Sequence, residues 1–98
     1  RLLLQARILM RRVAKVDKNQ RAIVAALRKA GCSVLSLASV GACCPDILVG
    51  HRRRNTLLEI KTPTGEANEL QRAWAQAWDG QCSLVRTPEE AILAVMGK

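Results

Sequence analysis

Asp46 follows Pro45, Glu59 stands thirteen positions later, and Lys61 comes after one further residue. Each of these groups sits at the end of a short apolar run, Ile47-Leu48-Val49 or Leu57-Leu58. Two carboxylates gathered at one point repel each other unless a cation lies between them. Mg²⁺ suits such a pair, because it takes one or two carboxylates, keeps several waters and adds phosphate oxygens. The backbone carbonyl of Ile60 is a further candidate ligand. A metal held there lowers the pKa of a bound water and neutralises charge on a phosphodiester under attack. Lys61 can orient that water or stabilise the developing negative charge. The competing reading of Glu59-Ile60-Lys61 is an ordinary surface ion pair at a strand end, which E-x-K sequences form commonly.

The flanking pattern predicts the elements that must position these groups. Asp17 followed by Gln20 fits a capping box, so the first confident helix is expected over Lys18 to Ala30. Its inner face is Ile23, Val24 and Leu27, and Gly31 is its stop. Cys32 to Leu37 alternates and reads as a strand, followed by a small-residue loop through Cys44. Ile47 to Val49 and Thr56 to Lys61 read as two strands of an antiparallel hairpin, joined by a turn over His51 to Asn55. Strand alternation puts Glu59 and Lys61 on one face, Leu58 and Ile60 on the other, and the hairpin returns Asp46 close to the first pair.

Thr62 to Gly65 is a loop, and Glu66 to Trp78 reads as a helix with Leu70, Trp74 and Ala77 facing inward. Cys82 to Arg86 is a fourth strand, parallel to an earlier one because a helix precedes it. In the last helix Thr87 caps, Pro88 takes the first turn, Glu90 completes the box, and Ala91, Ile92 and Val95 pack inward. The order helix, strand, strand, strand, helix, strand, helix implies an α/β fold: a mixed four-stranded sheet flanked by helices.

Composition narrows the partners. Ninety-eight residues imply one domain, here residues 17–98, preceded by a basic lead-in over 1–16. That lead-in reads as a helix, a dimer contact or a phosphate-binding arm. A hydrophobic share of 49% excludes a disordered chain. A net charge of +8 favours a polyanion, nucleic acid ahead of an acidic membrane surface. No apolar run in the lead-in is long enough for a secretory core or a membrane span. The four cysteines, with adjacent Cys43 and Cys44 and only one histidine, fit neither a zinc site nor a disulfide framework. Reduced thiols in a cytoplasmic, non-secreted protein are the expectation.

Arg52, Arg53 and Arg54 are candidate DNA-backbone contacts, with a solvated turn as the alternative. His51 beside them reads as a phosphate or solvent contact. Ser39 and Gly41 precede Asp46 in a loop where small residues let a phosphate approach. Trp74 and Trp78, four apart, read as core or dimer packing ahead of base stacking.

Together, Cys44-Pro45-Asp46-Ile47-Leu48-Val49-Gly50, the hairpin, Leu58-Glu59-Ile60-Lys61 and the following helix with Gln71 resemble the PD-(D/E)XK nuclease superfamily. More narrowly they resemble the virus-type replication–repair nuclease (VRR-NUC) domain and its small phage relatives. The resemblance runs from about Asp17 to Val95. It implies a restriction-endonuclease-like fold and a Mg²⁺- or Mn²⁺-dependent DNA endonuclease in a bacterial or phage-infected cell. It makes Asp46 and Glu59 metal ligands, Lys61 the catalytic lysine, and Gln71 the helix glutamine that supports the site. It extends to structure-selective cutting of Holliday junctions or other branched DNA by a homodimer, a state that would also add stability to so small a domain. Many members carry an acid on the first helix, whereas Lys18 to Ala30 has none; Gln20 or Asn19 is the neutral residue available for that place. That departure keeps a second reading open, a basic nucleic-acid-binding module that has the fold and does not cut.

Overall fold

The computed structural model describes the backbone of residues 2–97 and the side chains of residues 3–7 and 17–97. The elements are α1 (Leu2–Lys29), β1 (Ser33–Ser36), β2 (Ile47–His51), β3 (Arg54–Ile60), α2 (Glu69–Ala77), β4 (Cys82–Val85) and α3 (Pro88–Met96). This is the expected order. The strands form one sheet, β1-β2-β3-β4, with β1/β2 and β2/β3 antiparallel and β3/β4 parallel. It is a mixed sheet of the anticipated α/β class.

One face of the sheet carries the core. Ile47 and Val49 of β2, Leu58 and Ile60 of β3 and Val85 of β4 alternate onto it, and all are nearly or fully buried. Ile23 and Leu27 of α1, one turn apart, and Ala91 of α3 cover them, with Val24, Ile92 and Val95 at the margin. Ile23 and Leu27 are completely buried, so truncating either to alanine would cost about 2–5 kcal/mol.

α1 is longer than the cap pattern predicts. Asp17 is not an N-cap; it is an exposed residue inside a continuous helix. Residues 1–16 contain no Gly or Pro, so nothing in the backbone interrupts helix propagation through Asp17. The backbone of the lead-in is therefore helical from Leu2; the side chains of residues 8–16, with Arg1 and Lys98, lie outside the described residues. The stop is as expected. Gly31 has φ +94°, its N–H donates to Arg28 O, and Cys32 N–H donates to Leu27 O at 3.0 Å, the paired bonds of a Schellman motif.

Four other expectations are corrected. The β2/β3 turn is only Arg52-Arg53, with φ of +48° and +65°; His51 and Arg54 are the last rung of the ladder. Positive φ at both central residues is the signature of the type I′ hairpin turn, whose twist matches the strands. α2 begins after Asn68 rather than at Glu66, because Asn68 and Gln71 close a reciprocal capping box there. Its expected inner stripe of Leu70, Trp74 and Ala77 is not buried: Leu70 is 69% exposed and Ala77 is exposed. α2 reaches the sheet through Gln71, which bonds Glu59, while the half-buried Trp74 lines a groove with Leu48 and Leu57. Finally, Thr87 Oγ1 caps α3 by accepting from Glu90 N–H, but the Glu90 carboxylate accepts from Arg86 N–H and leaves the box open.

Candidate active site

The β2/β3 register ends with Ile47 opposite Leu58, and Asp46, one residue beyond it, lies within electrostatic reach of Glu59. Ile47 and Leu58 face the core, so alternation turns both carboxylates to the other face, beneath α2. The ladder holds Asp46 from both sides: its N–H donates to Leu58 O at 3.1 Å, and its carbonyl accepts Leu37 N–H at 2.9 Å. Pro45 has no N–H to give, and the pairing of β2 ends there. The Ile60 N–H is instead met by the Asp46 side chain, donating to Oδ2 at 2.6 Å. The Pro-Asp dipeptide thus ends a strand and fixes a carboxylate in one step.

Odd-numbered residues of β3 bond toward β4, as Leu57 N–H to Gln81 O and Lys61 N–H to Val85 O show. Even-numbered ones bond toward β2, as Leu58 O and Ile60 N–H show. The N–H and C=O of one strand residue share an edge, so the Ile60 carbonyl is directed to the side of β3 that carries Asp46.

Glu59 is the meeting point of the site. Its side chain is 13% exposed, and its Oε1 pairs with Lys61 Nζ at 3.3 Å. The same Oε1 accepts Gln71 Nε2–H at 2.8 Å. Gln71 is aimed by its helix terminus: its Oε1 accepts Asn68 N–H at 3.0 Å while its own N–H donates to Asn68 Oδ1 at 2.9 Å. With its carbonyl oxygen committed to the cap, its amide nitrogen is left for Glu59. From the opposite face, Asn19 Nδ2 donates to Lys61 O at 2.8 Å and to Arg86 O at 3.1 Å, tying the ends of β3 and β4 to α1.

Burial raises both acids. The Asp46 carboxyl lies above the usual range because desolvation outweighs the Ile60 N–H and the charge of Lys61. Glu59 is raised by desolvation first and by the Asp46 charge second, against the pull of Lys61. Two half-buried acids that disfavour each other's ionisation form a site short of one positive charge. Among the described residues no group of three His, Cys, Asp or Glu could hold a metal ion. Two carboxylates and a backbone carbonyl nevertheless fit Mg²⁺ or Mn²⁺, which complete their shell with water and phosphate oxygens.

A cavity of about 220 Å³ opens over Glu59 and Gln71, with Pro45, Cys43 and Cys82 in its wall. The two cysteines had no part in the sequence reading of the site. The Cys82 thiol is raised by burial first, then by the charge of Glu59 and by Cys44, which keeps it in its protonated, less nucleophilic form.

The other candidates lie elsewhere. Gln20 is on α1, which backs the core face, and among the described residues it makes no hydrogen bond to Asp46 or Glu59. Asn19, the other neutral residue considered, binds backbone carbonyls rather than the carboxylates. Arg52 to Arg54 stand at the far end of the hairpin, with Arg54 about 17 Å from Glu59 along β3 at about 3.4 Å per residue. Ser39 is exposed on the β1/β2 connection, whose first residue Leu37 bonds Asp46. No helix among the described residues is long and apolar enough to cross a membrane.

No protein-family model matches the chain, and no curated protein sequence matches it. A solved structure described as a VRR_NUC domain does match, with a TM-score of 0.60 and 18% sequence identity, over 79% of this chain and 89% of that one. At such identity the likeness is one of fold. The architecture expected from Pro45-Asp46 and Glu59-Ile60-Lys61 is therefore the one present: this chain has a nuclease-type, VRR_NUC-like fold.

Proposed function

We propose that this protein is a Mg²⁺- or Mn²⁺-dependent DNA endonuclease in which Asp46, Glu59 and the Ile60 carbonyl hold the metal. The observation that carries the reading is the convergence on Glu59: a neighbouring Asp46 carboxylate, the Lys61 ammonium and the cap-aimed Gln71 amide, on one face of a VRR_NUC-like fold. A divalent ion supplies an activated water and charge neutralisation at the phosphate when bound. Lys61, beside Glu59, donates to the attacking water or to a phosphate oxygen and stabilises the charge that builds there. Gln71 keeps the Glu59 carboxylate in one orientation, with Oε1 engaged and Oε2 left for a cation. The Ile60 N–H fixes Asp46 in the same way through Oδ2. The net charge of +8 draws the polyanionic substrate. Branched DNA, including Holliday junctions, is the substrate class proposed, with a homodimer bringing two sites to two strands.

The test is cleavage of labelled four-way junction, flap, duplex and single-stranded DNA with Mg²⁺, Mn²⁺ or chelator, beside Asp46→Asn and Lys61→Ala. Metal-dependent cutting is expected from the wild type. Lys61→Ala should lose on the order of 10²–10³-fold in rate, and Asp46→Asn should leave no measurable cutting. Wild-type protein that binds all four substrates in the presence of metal and cuts none would instead establish a non-cleaving binding module.

A further inference from the structure

A second, larger groove of about 600 Å³ lies beside the carboxylate cavity on the same face of the sheet. Leu48 and Leu57 lie on its floor, Trp74 of α2 and Trp78 at the C-cap of that helix line it, and Asn55 and Gln81 close one end. Asn55, Leu57 and Glu59 alternate onto one face of β3, so groove and carboxylates are successive stations on one strand. Arg52 and Arg53 continue that line at the hairpin tip. The run from Arg54 to Glu59, about 17 Å, matches about five nucleotide steps of one B-form strand.

The placement of the tryptophans is the unexplained feature. They are the chain's whole complement of Phe, Tyr and Trp, yet neither belongs to the core cluster. Their rings stack with centroids 5.0 Å apart and planes at 12°, and Trp78 remains 48% exposed. Gly80 permits this pose, since a Cβ there would fall 2.7 Å from the Trp78 ring nitrogen. A chain that leaves its only large aromatic rings on the lip of an apolar groove presents a stacking platform. Among the described residues no charged one lines the groove, while three arginines stand beyond its end. An uncharged slot beside a cationic tip fits a strand that places its base inside and its phosphates outside.

We propose that the groove receives an unpaired nucleobase, stacked on Trp78, from the strand whose phosphodiester lies at Asp46 and Glu59. The substrate is then DNA with an unpaired segment beside the cut, not uninterrupted duplex, whose bases already have both faces covered. The location of the cut rests on the nuclease reading; the stacking does not.

Tryptophan emission reads the proposal directly, because both fluorophores lie at the groove. Asp46→Asn protein without metal is titrated with an oligo-dT strand, an abasic strand of equal length and a blunt duplex. Oligo-dT should quench the emission saturably. The abasic strand, with the same phosphates and no bases, should bind about tenfold or more weakly and leave emission unchanged. Duplex should not quench. Trp78→Leu, with its helical circular dichroism retained, should bind oligo-dT at the abasic level. Equal quenching by duplex or abasic strand, or none by oligo-dT, overturns the proposal. A blue shift that grows with protein concentration before DNA is added also overturns it, because a second copy would then fill the groove. Absence of metal-dependent cutting by the wild type, with quenching intact, would count against the nuclease reading alone.

Discussion

Glu59 Oε1 takes both the Lys61 ammonium and the Gln71 amide, and these two contacts do different work. Lys61 supplies charge, and Gln71 supplies direction. Removing the amide should leave the fold intact, since α2 contributes no buried residue. It should loosen the carboxylate that a metal must find. Gln71→Ala is therefore expected to lower metal affinity or activity about 10–100-fold, read as cleavage rate against Mn²⁺ concentration. A wild-type metal curve for this variant would show that the Glu59 contact is only packing. Asp46, Glu59 and Lys61 were legible in the sequence because strand alternation and hairpin return are local rules with few outcomes. The aim of Gln71 was not, although the resemblance named that residue. Its geometry depends on Asn68, whose capping function was hidden by a helix start assigned at Glu66. Asn19 was equally hidden: its bonds to Lys61 O and Arg86 O span 42 and 67 positions of sequence and exist only once α1 crosses the sheet.

At the scale of elements, the β2/β3 hairpin holds its tip in a conformation that arginine disfavours. Left-handed backbone costs a residue with a Cβ about 1–2 kcal/mol, and Arg52 and Arg53 both adopt it. Asn-Gly is the usual solution for this turn, so the arginines are retained against a local energetic preference. Replacing them, Arg52→Asn with Arg53→Gly, should stabilise the protein by about 1–2 kcal/mol in denaturant unfolding. The same variant should bind DNA more weakly, with a salt dependence shallower by up to about two charges. Unchanged affinity and salt slope would mean the tip is solvated and strained for no DNA-related reason. The order of elements and the strand directions were legible because turn residues punctuate every strand. The length of α1 was not, because a capping-box pattern carries no signal that distinguishes a helix start from a helix interior when neither Gly nor Pro precedes it. The face of α2 was misassigned for a related reason: Leu70, Trp74 and Ala77 form an apolar stripe, but the sheet beneath them offers Glu59, and Gln71 follows it.

For the whole molecule, the cost of assembling Asp46 and Glu59 becomes a statement about stability. Both acids have folded-state values above their ordinary ones, so folding favours their protonated forms. Where both are ionised, their burial opposes folding. As pH falls through the raised values, the folded state takes up protons first and the penalty lessens. It is gone below the ordinary carboxylate range. These two groups thus make the metal-free protein more stable on acidification, opposite in sign to the acids of an ordinary salt bridge. Asp46→Asn removes one buried charge and the repulsion on Glu59, while an amide oxygen can still accept the Ile60 N–H. The variant should melt above the metal-free wild type at pH 7, and the gap should narrow as pH drops toward the carboxylate range. A divalent cation should reverse the ranking. Mn²⁺ at a hundredfold over its Kd adds about 2.7 kcal/mol to a protein that binds it only when folded, and the gain should shrink at low pH as protons compete for the same oxygens. Melting curves of both proteins, with Mn²⁺ and with chelator, from neutral to acidic pH measure all of this. Equal melting temperatures at pH 7 without metal would mean that the two carboxylates are solvated well enough to ionise without strain, and the site would then lack the charge deficit that calls for a cation.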